Sequence, residues 1–108
     1  MDWQEQINAE LDRAELARAR NNEGRARVCA RRAAGLAARA YLARRGMPVH
    51  NTSAVELLHQ LRNDAALPPG LDILVDELTL RVDEQFKLPA GVDLLDDAKR
   101  LCAALLPS

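Results

Sequence analysis

The chain has 108 residues, of which 48% are apolar and 29% charged, and its formal net charge is −1. This length fits one domain over residues 1–108 and is too short for two independent cores. The composition is typical of a globular protein and excludes a disordered chain. No apolar run approaches the roughly 20 residues that span a bilayer. The acidic segment from Met1 to Glu5 lacks the apolar stretch of a signal peptide. We therefore expect a cytoplasmic protein that does not contact membranes.

The charge is unevenly distributed along the chain. Residues 1–52 carry ten arginines against six carboxylates, whereas residues 53–108 carry five basic and ten acidic side chains. One interpretation is a basic surface for an anionic partner such as a nucleic acid or a nucleotide. The other is that basic and acidic helices pack side by side and their charges compensate. The near-zero net charge favours this second interpretation, in which the charges of neighbouring helices compensate.

Five amphipathic helices are predicted in chain order, because apolar residues recur with the helical period. Their approximate bounds are Asp2–Asn21, Glu23–Arg45, Ser53–Asp64, Leu71–Phe86 and Val92–Leu106. Turn residues separate them, including Asn and Gly after the first helix and a Pro-Pro-Gly segment before the fourth. No segment of the sequence shows the alternating pattern of a β-strand. The sequence therefore predicts an all-α, up-and-down bundle of four to five helices, and its core should contain Leu36, Leu58, Leu78 and Leu101.

Local signals also predict how single residues are used. Ser53 and Glu56 have the spacing of a capping box, in which the serine hydroxyl accepts from a backbone N–H and the glutamate reaches back. Asp93 precedes the last helix, where an acid interacts favourably with the helix dipole. Cys29 and Cys102 lie far apart within helical patterns, so we expect free buried thiols in a reducing compartment.

Side chains that could perform chemistry do not form a recognisable catalytic motif. His50 and His59 have no cysteine or carboxylate at ligand spacing, so no metal site is predicted. The serines Ser53 and Ser108 are a helix cap and the chain terminus, and no glycine-rich phosphate loop is present. We therefore predict neither a cofactor nor a conventional active site.

One short spacing could support catalysis. Arg45 and His50 match R-x4-H, in which an arginine holds a phosphate and a histidine acts as the base on a ribose hydroxyl. The match straddles Gly46 and Pro48, so no rigid element connects the two side chains. Cleavage of RNA without a metal is therefore the alternative function.

The second predicted helix carries an arginine rim beside its apolar face. This rim consists of Arg25, Arg32 and Arg39, and it is the candidate surface for binding a ligand or a partner. A sequence-nonspecific nucleic-acid binder is a third possibility, and it requires these three side chains to face open solvent.

The order of these features resembles the HEPN domains of prokaryotes, which are small helical bundles. Residues 26–46 resemble the long Ala-rich helix of that family, which ends at a glycine. Gly46 to Leu61, "GMPVHNTSAVELLHQL", resembles its Pro- and Thr-containing loop and the helix that follows. Phe86 to Pro89, before Asp93–Leu106, resembles the turn that precedes its last helix.

The resemblance implies association more than catalysis. HEPN domains often accompany a minimal nucleotidyltransferase, so it implies such a partner or a nucleotide ligand, together with a homodimer. The chain departs from the family at Asn51-Thr52-Ser53, where a Thr-His-Asp-like trio is usual, and at Lys87-Leu88-Pro89. A glycine follows Arg45, where catalytic members have a polar residue. The sequence thus predicts a non-enzymatic, self-associating module; the alternative is a toxin-like endoribonuclease of the toxin–antitoxin type that uses Arg45 and His50.

Small residues on the second helix suggest where two copies would meet. Ala30, Ala34 and Ala38 recur at i, i+4 and i+8, which allows close approach of another helix. Tyr41 continues the same side and could bury its ring while its hydroxyl stays in water. These four residues form the predicted dimer interface, and a two-fold dimer is the commonest closed arrangement.

Overall fold

A computed structural model describes residues 2–49, 53–80 and 91–106. Within these ranges the regular structure is entirely helical. The helices are α1 (Trp3–Ala19), α2 (Glu23–Arg44), α3 (Ala54–Arg62), α4 (Leu71–Leu78) and α5 (Leu94–Leu105). The predicted all-α fold and the order of its five helices are confirmed.

Three polar side chains begin helices in the positions where such residues are favoured. Asp2 accepts a hydrogen bond from the backbone N–H of Glu5 at 2.7 Å, and Asn22 accepts one from that of Arg25 at 3.2 Å. Asp93 accepts from two backbone N–H groups at the start of α5, which confirms the role expected of it. Ser53 also stands at the N-cap position, but its side chain makes no capping hydrogen bond, so the predicted capping box is wrong.

Helix α2 is the centre of the bundle, because α1, α3 and α5 all pack against it. Its alanines allow these neighbours to approach on several sides at once. Its buried residues are Ala26, Cys29, Ala30, Ala33, Ala34, Gly35, Ala37, Ala38, Ala40 and Leu42. The helix is therefore enclosed by its own chain over most of its circumference.

This enclosure corrects the predicted dimer interface. Ala30, Ala34 and Ala38 are each 0% exposed and belong to the core of the single chain. Tyr41 is partly buried against the same core, and the guanidinium of Arg45 lies 5.7 Å from the centre of its ring. The three alanines cannot contact a second copy without opening the bundle. Their spacing does allow close helix packing, but within one chain.

Helices α2 and α3 approach each other closely at Gly35. A Cβ atom placed on Gly35 would lie 2.8 Å from both Cα and Cβ of Ala54. Any larger side chain at this position would therefore collide with the backbone of α3. The absence of a side chain at Gly35 lets the first turn of α3 rest directly on α2.

The leucine core agrees with the sequence at three of four positions. Leu58, Leu78 and Leu101 are fully buried, whereas Leu36 is only partly buried at the edge of the core. Val55, an apolar residue in the first turn of α3, is 39% exposed. Leu36 and Val55 lie on the same side of the bundle, beside a surface cavity between α1, α2 and α3.

Helix α4 ends at Leu78, before the predicted end at Phe86. Arg31 donates to the carbonyl of Leu78, the last residue of the helix, at 2.9 Å and to that of Leu80, two residues beyond it, at 3.1 Å. These bonds replace the backbone partners that a longer helix would supply. The remainder of the predicted helix, residues 81–86, lies outside the described residues.

Candidate functional site

Several arginines stabilise the bundle rather than forming a free rim. Arg31 caps the end of α4 through the carbonyls of Leu78 and Leu80, and Arg44 donates to the carbonyl of Leu105 at the end of α5. A cation at a helix C-terminus pairs with carbonyl groups that have no partner within the helix. Burial and the nearby charge of Arg27 lower the pKa of Arg31. These two arginines are therefore structural.

Charges of neighbouring helices compensate each other where α1 and α5 meet. This is the interpretation that the near-zero net charge favoured. Arg18 forms ion pairs with Glu23 at 2.7 Å and with Asp93 at 3.0 Å, and Lys99 pairs with Glu15. Hydrogen bonds to Glu23 and Asp93 raise the pKa of Arg18. The hydrogen bond from Arg18 lowers the pKa of Asp93. Of these pairs, Arg18–Asp93 joins a base of residues 1–52 to an acid of residues 53–108.

Four arginines, including Arg31, surround the cavity between α1, α2 and α3, which we call the arginine groove. Its volume is about 650 Å³. Its basic lining residues are Arg13 from α1 and Arg31, Arg32 and Arg39 from α2. Its apolar wall includes Val28, Leu36 and Val55. The groove thus combines several positive charges with accessible apolar surface.

The three outer arginines of the groove differ in how firmly they are held. Within the described part of the chain, Arg32 is exposed and has no hydrogen-bond or ion-pair partner. The guanidinium carbon of Arg39 lies 5.5 Å from the centre of the Trp3 ring, a distance at which a cation and an aromatic face attract. Arg13 pairs with Glu10 at 2.7 Å, and its side chain is 60% exposed. All three could turn toward an anion.

The start of α3 adds to the positive potential of the groove. Ser53 and Ala54, at the N-cap and first helical positions, both line it. The Ser53 side chain does not cap the helix, so its hydroxyl does not accept from the first backbone N–H groups of α3. Helix N-termini favour negative charge. The start of α3 therefore adds to the attraction that the arginines exert on an anion.

The structure brings together two of the three arginines predicted as a binding rim. Arg32 and Arg39 line the groove, whereas Arg25 does not. Arg25 and Arg32 are exposed rather than covered by the acidic last helix. The sequence interpretation missed Arg13 and Glu10, because it placed the site on one helix. Their i, i+3 spacing indicates an ion pair on α1 but not which helix lies beside it.

The structure describes only one of the two residues considered for RNA cleavage. Nε of Arg45 lies 3.0 Å from Oδ2 of Asp64, and the same guanidinium lies over the ring of Tyr41. His50 lies outside the described residues. Arg45 is therefore engaged with a carboxylate of its own chain and an aromatic ring.

One carboxyl group is buried where α4 meets α5. Asp97 is 6% exposed, and burial, reinforced by Glu77, raises its pKa to about 7. Its Oδ2 atom has no hydrogen-bond partner among the residues described. Asp96, in contrast, pairs on the surface with Arg100 at 2.9 Å. The capping position that accounts for Asp93 does not account for the buried Asp97.

Both cysteines are free and buried, as the sequence predicts. The Cys102 thiol donates to the carbonyl of Ala33 at 3.7 Å, and burial raises its pKa to about 12. A thiol that stays protonated is a poor nucleophile and a poor metal ligand. Over the described ranges, no cluster of three or more His, Cys, Asp or Glu side chains could hold a metal ion.

Comparisons with known proteins give no match: no family model fits the sequence, and neither the curated proteins nor the solved structures contain a significant relative. None of the helices in the described part of the chain is long and apolar enough to cross a membrane.

Proposed function

We propose that the chain is a non-enzymatic helical binding module whose arginine groove binds a phosphate-bearing ligand such as a nucleotide. One observation carries this proposal: Arg13, Arg32 and Arg39 converge from two helices on a single cavity of about 650 Å³. Small-molecule sites typically have volumes of about 300–1,000 Å³. The groove is thus large enough for a nucleotide.

Guanidinium groups are well suited to binding phosphate. Each presents N–H donors in a planar fork that matches two phosphate oxygens. Arg32 has no competing carboxylate among the described residues, so binding an anion there breaks no existing ion pair. Val28 and Val55, exposed by 43% and 39%, supply apolar contact for the uncharged part of the ligand.

The HEPN resemblance extends this proposal to protein partners. It adds self-association and a minimal nucleotidyltransferase as the associated protein. Both contacts would use surfaces other than Ala30, Ala34 and Ala38, which the bundle itself covers.

The chain contains a natural reporter for this binding. Trp3 is its one tryptophan, and it contacts Arg39 at the groove. Titration with inorganic triphosphate, which does not absorb, should change the Trp3 fluorescence at low ionic strength. Arg32→Ala should weaken binding about tenfold or more, because a hydrogen bond to a charged group contributes about 1.5–3 kcal/mol.

Arg25→Ala is the matched control. Arg25 lies on the same helix and is exposed, but it does not line the groove. This variant loses the same charge and should keep wild-type affinity within about twofold, because screening limits the effect of distant surface charges. Equal weakening by both variants would indicate general attraction to a basic protein. The absence of any fluorescence change or calorimetric heat with wild type would refute the proposal.

A further inference from the structure

The arginine groove contains one carboxylate among its described lining residues, Glu10 of α1. Its Oε1 accepts from Nη1 of Arg13 at 2.7 Å. Its Oε2 is buried and has no hydrogen-bond partner among the described residues, and the side chain as a whole is 13% exposed. An acid in this position is unexpected, because it repels the phosphate that the neighbouring arginines attract.

A buried acceptor without a partner is also costly to the folded state, and such groups in native structures call for an explanation. Glu10 already has its cation, Arg13, so charge neutralisation does not account for the second oxygen. Once the Arg13 side chain turns away, a ligand that brings an N–H donor into the groove would supply the missing partner.

The ion pair between Glu10 and Arg13 allows such an exchange. The Arg13 side chain is 60% exposed, so solvent screens part of the attraction between its guanidinium and Glu10. A phosphate entering the groove competes for the Arg13 guanidinium, beside Arg32 and Arg39. As Arg13 turns to the phosphate, the carboxylate of Glu10 is released and can accept from donors on the ligand with both oxygens.

From this geometry we infer that Glu10 is a specificity-determining residue, which selects a phosphate-bearing ligand that also presents two adjacent N–H donors. This inference rests on the proposed function of the groove. Among nucleotides, guanine carries this pattern, because its ring N–H and its exocyclic amino group lie side by side and match the two oxygens of a carboxylate. Adenine presents an acceptor nitrogen next to its amino group, which the carboxylate of Glu10 repels. Val28, Leu36 and Val55 provide an apolar wall for the ring.

The test compares GTP, ATP and inorganic triphosphate by calorimetry on the whole chain. Wild type should bind GTP about ten- to a hundredfold more tightly than ATP, the range expected for hydrogen bonds to a charged group. Glu10→Gln should remove this preference. The same variant should bind triphosphate as tightly as wild type or more tightly, because a negative charge has left the site.

Glu15→Gln is the matched control, since Glu15 is an acid of the same helix that does not line the groove. It should leave the preference for GTP intact. Equal affinity of wild type for the three ligands would overturn the role of Glu10 while leaving the phosphate site itself in place. Binding of none of them would overturn both proposals. The wild-type comparison does not depend on whether Glu10→Gln folds, and circular dichroism of the variants checks that point.

Discussion

Replacement of Gly35 by alanine sets two effects of opposite sign against each other. In an exposed helix interior, alanine is more favourable than glycine by about 1 kcal/mol. At Gly35, however, the added Cβ would lie 2.8 Å from Cα and Cβ of Ala54. Carbon atoms in favourable contact are about 3.5–4.0 Å apart. Helices α2 and α3 must therefore separate by about 1 Å at this point.

The steric effect should dominate, because one colliding atom belongs to the backbone of α3 and cannot be moved by a change of rotamer. Overpacking of a close-packed core costs about 1–3 kcal/mol, and the gain in helix propensity offsets part of this. We expect Gly35→Ala to lower the free energy of unfolding by about 1–2 kcal/mol. Because Gly35 and Ala54 both line the arginine groove, the variant should also weaken triphosphate binding.

Gly24→Ala provides the matched control. Gly24 belongs to the same helix, and a Cβ there would meet nothing within 4 Å. This variant should be neutral or stabilising by up to about 1 kcal/mol. Urea denaturation followed by circular dichroism measures both changes. Equal stability of the two variants would show that α2 and α3 do not meet at Gly35, and the geometry of the groove would then be wrong.

Two further predictions concern buried positions. Asp97 holds its proton in the native state up to about pH 7 but loses it near pH 4 when unfolded, so the free energy of unfolding should fall as pH rises through that interval. Asp97→Asn should remove this pH dependence and raise the free energy of unfolding at neutral pH by about 1–2 kcal/mol. If the stability of the wild type does not change from about pH 4 to 7, the pKa of Asp97 is not raised. Ala34→Glu would bury a charge on α2 within the bundle and should unfold the chain, which circular dichroism would detect. If the variant instead stays folded and light scattering shows that a wild-type dimer has become a monomer, Ala34 lies in a dimer interface.

The positions of the helices were predictable from local information. Apolar periodicity located all five, and turn residues such as Asn22 and Asp93 set their starts within one or two positions. The error at the end of α4 has a non-local cause, because the carbonyls of Leu78 and Leu80 bond to Arg31, which is 47 and 49 residues away in sequence. Nothing near Leu78 in the sequence signals that partner.

The sequence by itself determined that the chain is a bundle of amphipathic helices with a leucine core, since each helix face is set by residues within a few turns. Tertiary structure alone decided what α2 contacts. A helix that is apolar on several sides does not specify which neighbour covers which side, so the spacing of Ala34 fits a dimer seam and an internal contact equally well. For the same reason, the arginine groove could not be predicted. Arg32, Arg13 and Glu10 meet because Gly35 lets α3 approach α2 while α1 packs beside them, and side-chain proximity between helices depends on packing that no local pattern encodes.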